Sequence, residues 1–435
     1  MSRWRNLLKI SGNRAIYREA LSRQWQLSLQ SQVPIFLGQR SARCQLFAAS
    51  TQRKAIACSI PYCTLVSRCF STNTPRHALV VPTLAIRIVG IPLAVLVGRY
   101  ARRYWMNKSL SERRRLLDAY LYYAAGGIMG LAMFALLYYY IHLDTAPVTK
   151  RKRFMLFNVN EFESIVEMEK AMLFRLMKNH FITTSHPAYK QVNRVVTRIL
   201  KSNADLPAVK NKHWMVTVID SPKQNAFVVP TGHIFVFTGI LDILANDDHL
   251  AVVLSHELAH TILDHVPELH STTHCAEISA LFALAGIWLW IPSFMLALAA
   301  SVVLYEIISL CVYLPHHRLL ELEADEVGLR LTAKACYDVR ENVAFWQRMH
   351  LINKIQRSVD INAVTVPEYF STHPSHRKRA AKLAQQMPEA LALRESCNCS
   401  PLPAKDPSLD VAKLRLAMRN AKEFNDPWKP FTSEV

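Results

Sequence analysis

Residues 120–143 read YLYYAAGGIMGLAMFALLYYYIHL, 24 positions without a charged side chain. At about 1.5 Å per residue a helix of that length reaches roughly 36 Å, enough to cross a hydrocarbon core of about 30 Å. Tyrosines cluster at both ends, where an amphipathic ring suits the lipid–water boundary. Gly126, Gly127 and Gly130 offer a face for close helix approach. A fold that lives in water would have to bury this helix on every side. The run therefore points to a membrane span. Arg113, Arg114 and Arg115 precede it, and Lys150, Arg151, Lys152 and Arg153 follow it, so charge bias does not orient it.

The net charge of +19 over 435 residues resembles a nucleic-acid signature, but its placement argues otherwise. Residues 1–76 hold 12 basic residues and a single acid, Glu19, which is more than half of the excess. A leader rich in Arg and Ser and poor in acids has the composition of a mitochondrial transit peptide. Arg68-Cys69-Phe70-Ser71 fits processing between Phe70 and Ser71, two residues after an arginine. No nucleic-acid partner is expected. Between the leader and the span, residues 79–98 are apolar but broken by Pro82, Arg87 and Pro92. Arg99, Arg102 and Arg103 follow, a pattern suited to an interfacial segment on anionic lipid.

Beyond the span, residues 158–202 show helical periodicity. HWMVTVIDS (213–221) alternates as a strand does, and NAFVVPTGHIFVFTGIL (225–241) reads as two strands around Pro230-Thr231-Gly232. A second charge-free run, 278–305, is divided by Pro292 into halves short for a span and suggests a helical hairpin. Residues 319–334 and 339–356 read as helices, with a last one near 410–423. The fold class is mainly α with a small β-sheet (α+β). Five cysteines lie beyond the leader: Cys275, Cys311, Cys336, Cys397 and Cys399. They lack metal-site spacing. Idle and redox-responsive thiols both remain open.

The chemistry concentrates in LSHELAHTILDH, residues 254–265. On a helix His256 and His260 project from one face and can share one metal ion. Glu257, beside them, is placed to hold and deprotonate water at that ion. A third ligand is required for a catalytic zinc. His265 is one residue off the ten-residue metzincin spacing, and the continuing helix would turn it away, which makes it a surface or capping residue. Glu321, in LLELEADEVGL, is the better ligand. Asp325, four residues on, shares its face and would accept the other N–H of a ligating histidine, His256 in this reading. Glu323 points elsewhere. Arg318, one turn before Glu321, and His373, in STHPSH, are candidates to hold a developing oxyanion, with His373 as the catalytic choice. A structural role for zinc would need a closed four-ligand site. A zinc-stabilised membrane scaffold or stress sensor is the alternative function.

SHELAH, ELEAD and STHPSH, in that order, resemble the gluzincin peptidases of the prenyl-protein-protease and HtpX type, over roughly residues 145–400. KACYDVRENVAFWQRM and CNCSPLPAKDP resemble the family's mitochondrial inner-membrane branch, whose activity overlaps that of the m-AAA protease. The resemblance implies a zinc metalloendopeptidase with one Zn2+ per subunit and a substrate-binding edge strand at Phe227, Val228 and Val229. It implies a single-pass protein facing the intermembrane space, activated by stress and depolarisation, that cleaves itself and inner-membrane proteins such as the dynamin-like fusion GTPase. Homo-oligomers and contacts with cardiolipin and prohibitin belong to the same expectation. The domains would be a transit peptide (1–70), a membrane-associated matrix-side segment (71–119), the span (120–143), the peptidase domain (144–400, including the hairpin 278–314) and a tail (401–435).

Overall fold

The computed structural model describes residues 86–157, 159–359 and 375–420. The leader and its processing site at Phe70 and Ser71 lie outside the described residues. The architecture is mainly helical with two small sheets. A short π-helical turn, Ile86–Gly90, opens into α1 (Ile91–Met106). Ser109 and Glu112 then form a reciprocal capping box at the start of α2 (Leu110–Ile141). This long helix contains nearly all of the charge-free run. The next segment is an antiparallel hairpin, β1 (Leu143–Thr145) and β2 (Lys152–Phe154).

The helical periodicity of 158–202 resolves into α3 (Val159–Leu176) and α4 (Pro187–Ser202). Pro187 separates them: it opens α4 and forces the preceding residue out of helical geometry. A one-turn α5 (Pro207–Lys210) leads to β3 (Met215–Ile219), β4 (Ala226–Val228) and β5 (His233–Phe237). The sheet order is β3-β5-β4, with β5 parallel to β3 and antiparallel to β4. Every residue of β5 is buried, which suits its unbroken apolar run from Ile234 to Phe237. β4 forms the outer edge.

After α6 (Thr238–Leu241), the chain enters α7 (Asp247–Ile262), capped by the Asn246 side chain on the His249 N–H. The apolar hairpin follows as α8 (His265–Trp290) and α9 (Phe294–Ile308), turning at Pro292 as its sequence requires. α10 (Leu314–Lys334), α11 (Arg340–Val359), α12 (His376–Ser396) and α13 (Pro407–Asn420) complete the order. The main core lies where α4, α7 and α10 meet the sheet, around Val195, Ile234, Leu254, Leu258 and Val327.

The hairpin packs on α1, through Ala94, Leu284, Trp288 and Ala297. Gly98 makes the approach possible: a Cβ there would sit 2.5 Å from the Ala285 carbonyl oxygen. By contrast, Gly126, Gly127 and Gly130 have open space around them, so the small-residue packing within the chain uses α1 instead of α2. Two of the arginines expected to face lipid serve the hairpin. Arg99 donates to the Pro292 carbonyl at 3.1 Å and Arg102 to the Leu289 and Trp290 carbonyls at 3.1 and 2.9 Å. These carbonyls would otherwise be orphaned at the end of α8. The outer faces of the bundle are apolar and exposed, including Phe282, Trp290, Phe294, Met295 and Val302.

The cysteines are not all idle. Cys336 and Cys399 form a disulfide with Cα atoms 5.3 Å apart. It ties the end of α10 to the segment after α12. Nothing in their spacing announced the bond, because the chain returns through two helices before they meet.

Candidate metal centre

α7 and α10 lie side by side and bring four titratable groups together. Gly328 sets their separation: a Cβ there would meet the His256 backbone nitrogen at 3.2 Å and its Cα at 3.3 Å. His256 and His260 project from α7 with their Nε2 atoms 3.2 Å apart. Glu321 on α10 places Oε2 3.5 Å from His256 Nε2 and Oε1 3.6 Å from His260 Nε2. Ligands about 2.05 Å from a tetrahedral ion are separated by roughly 3.3 Å. These three side chains form the one cluster of metal-ligand spacing among the described residues. Two imidazoles and a carboxylate are the donor set of a catalytic zinc, so the residues fit the ion.

Around them lies a second layer. Asp325 accepts from His256 Nδ1 at 3.1 Å, as its spacing from Glu321 implies. Arg379, from α12, grips both Asp325 oxygens at 2.6 Å and reaches Glu321 at 3.3 Å. Its guanidinium lies 3.5 Å from the centre of the Trp346 ring, a cation–π contact in a buried setting. Burial and the Arg379 charge push the His256 imidazolium down, but hydrogen bonds to Asp325 and Glu321 outweigh them, and the group stands at about 9. Burial and the neighbouring charge on His256 hold His260 well below its ordinary value.

Residues 189–387 match the description of peptidase family M48. The mitochondrial metalloendopeptidase OMA1 of cattle is 35% identical over 334 residues, 76% of this chain and 62% of that protein. The zebrafish OMA1 is 33% identical over 364 residues, covering 82% of this chain and 75% of the relative. The chain belongs to the OMA1 metalloendopeptidases of peptidase family M48. The yeast OMA1, at 29% over 271 residues, extends the similarity to fungi. The chain spans 62% of the bovine relative's length.

Within this OMA1-type chain the positions singled out from sequence fall as follows. His256, His260, Glu321 and Asp325 converge. Glu257 is half-buried beside them on α7 and contributes to the field at Arg379. Phe227 and Val228 lie on the edge strand and Val229 just beyond it. The Val228 carbonyl is 3.5 Å from the Thr261 hydroxyl, next in sequence to His260, so β4 runs alongside the ligand helix. Arg318 is half-buried on the turn before Glu321, but the guanidinium that grips Asp325 and Glu321 is that of Arg379. His373 lies outside the described residues.

His265 is not a surface residue. It is 2% exposed, and its Nδ1 lies 2.8 Å from Nδ1 of His260. α7 stops at Ile262, and Asp264, in the left-handed region at φ 53°, restarts the chain as α8. The signal was Pro267, which cannot continue an uninterrupted helix. Arg379 had a signal as well. It shares an inward face of α12 with Leu383, Ala390 and Arg394, all buried at helical spacing. Glu323 does point elsewhere, toward Arg151, Thr149 and His265. Burial pushes its carboxyl up, but these three contacts prevail and hold it at about 2.

Proposed function

We propose that this chain is a zinc metalloendopeptidase of the mitochondrial inner membrane, and that His256, His260 and Glu321 hold its ion. The observation that carries the reading is the spacing of these three ligand groups, from 3.2 Å between the imidazoles to 3.6 Å from His260 to Glu321, with Glu257 beside them. When bound, zinc supplies Lewis-acid polarisation of the scissile carbonyl and of water. Glu257 orients the attacking water, takes its proton and returns it to the leaving amine. Asp325 fixes the His256 tautomer through Nδ1, and Arg379 holds Asp325 in place. β4 supplies an open backbone edge on which an extended substrate can add as a strand, through Phe227, Val228 and Val229. His373 remains the candidate for oxyanion stabilisation.

The membrane reading rests on four apolar helices. α2 spans, and α1, α8 and α9 form a bundle whose exposed outer face suits lipid more than water. α8, from His265 to Trp290, is long and apolar enough by itself to cross a hydrocarbon core. Its first residue touches His260, and its last carbonyls accept from Arg102. Arg99 also reaches the Pro292 carbonyl there, and Arg113 donates to the Trp105 and Met106 carbonyls at the end of α1. Basic residues stand at both ends, with Arg151 on Glu268 at the catalytic end, so the catalytic face toward the intermembrane space rests on the family resemblance. The chain then enters the bilayer through the bundle as well as through α2. Inner-membrane proteins, including the fusion GTPase, and the chain itself are the proposed substrates, under stress activation. Cardiolipin, prohibitin and further copies of the chain are the proposed partners.

The test is Glu257→Gln. Purified variant should retain zinc and fold yet lose cleavage of inner-membrane substrates and of itself by more than about a hundredfold. Cleavage at the normal rate would remove Glu257 from the mechanism.

A further inference from the structure

Among the described residues no carboxylate meets His260 on the side away from the metal position. His256 donates from Nδ1 to Asp325, but the only group that meets His260 Nδ1 among the described residues is another imidazole nitrogen, His265 Nδ1, at 2.8 Å. Two nitrogens at that distance share one proton. For His260 to ligate through Nε2, its Nδ1 must carry the proton and donate it. His265 Nδ1 is then the acceptor, and its own proton must sit on Nε2. That Nε2 is fully buried and makes no well-formed hydrogen bond, and Glu323 Oε2, at 3.4 Å, is the carboxylate oxygen that faces it. Glu323 is aligned by Arg151 at 2.6 and 2.8 Å, and Arg151 is held in turn by both oxygens of the buried Glu268 at 2.8 Å.

We infer that His265 and Glu323 are positioning residues that fix the tautomer of His260 by a histidine-to-histidine hydrogen bond, with Arg151 holding the far end. The direction of donation runs outward from the metal position: His260 to His265, His265 to Glu323. The inference rests on the zinc reading of the site. It goes beyond that reading in giving the two ligand histidines unequal support, one direct and one relayed. It also ties the centre to the hairpin after α2. Arg151 lies in the turn between β1 and β2, so the support of His260 depends on that hairpin staying seated against α10.

The experiment measures zinc affinity by chelator competition on the purified full chain, with the melting temperature of the metal-free form alongside. His265→Leu removes the acceptor and should weaken zinc binding about tenfold to a hundredfold, the usual loss for a support group behind a ligand. His265→Gln can accept from His260 and donate to Glu323, so it should recover most of that loss. Glu323→Gln and Arg151→Gln should each weaken binding several-fold. A purely structural role would lower the metal-free melting temperature of the leucine and glutamine variants alike without separating their zinc affinities. Should the leucine variant not fold, the Glu323→Gln affinity decides. Wild-type affinity in His265→Leu, or in Glu323→Gln where the former does not fold, overturns the relay. A wild-type chain that takes up no zinc overturns the site reading itself.

Discussion

His256 carries two demands at once: it must offer a lone pair to a metal, yet hydrogen bonds to Asp325 and Glu321 overcome burial and hold its imidazolium at about 9. The Nε2 atoms that would hold the ion are 3.2 Å apart. Binding must expel the imidazolium proton. Below about pH 9 uptake of zinc should therefore release about one proton from this residue, and apparent affinity should rise roughly tenfold per pH unit as pH climbs toward that value. Calorimetry in buffers of different ionisation enthalpy reads the proton count directly; a count of zero near neutral pH would contradict the coupling. At this scale the sequence is most legible where the helix keeps its period. His256 with His260, and Glu321 with Asp325, are pairs four apart, and each pair shares a face. His265 is legible only if the helix is known to break at Asp264. Arg379 reaches the site from α12, two helices beyond the one that carries Asp325. Contacts made across such distances leave no local trace in the chain.

The elements divide into those set by pattern and those set by packing. The hairpin of α8 and α9 and the edge strand β4 follow from a proline between two apolar runs and from a turn at Pro230, Thr231 and Gly232. The parallel pairing of β5 with β3 does not, since it needs the crossover through β4. Nor does the contact of α1 with α8, because a broken apolar stretch reads equally as an interfacial segment. The junction of α7 with α10 depends on one small residue. Gly328→Val would drive a side chain into the His256 backbone and should cost about 1–3 kcal/mol of stability. Zinc affinity should fall with it, because Glu321 is carried away from both histidines. Unchanged metal binding and melting in that variant would mean that the helices separate there without consequence.

At the scale of the whole chain, the site and the carbonyls held by Arg99 and Arg102 stand at opposite ends of α8. A cysteine at Ser293, in a chain lacking Cys275, Cys311 and Cys397, should react with an impermeant maleimide only from the matrix side. Labelling from the intermembrane side would place the hairpin tip with the catalytic domain. The disulfide has a different reach. Cys336 and Cys399 are 63 residues apart and enclose α11 and α12, and with them Trp346 and Arg379. Closing a loop of that size disfavours the unfolded chain by about 4 kcal/mol in the chain-entropy view. It also makes the polypeptide a ring with two tails. A peptide bond broken anywhere inside the ring leaves both fragments joined, with the arginine that steadies Asp325 still covalently held. A chain nicked there would migrate as intact without reductant and separate only once the sulfur bridge is opened.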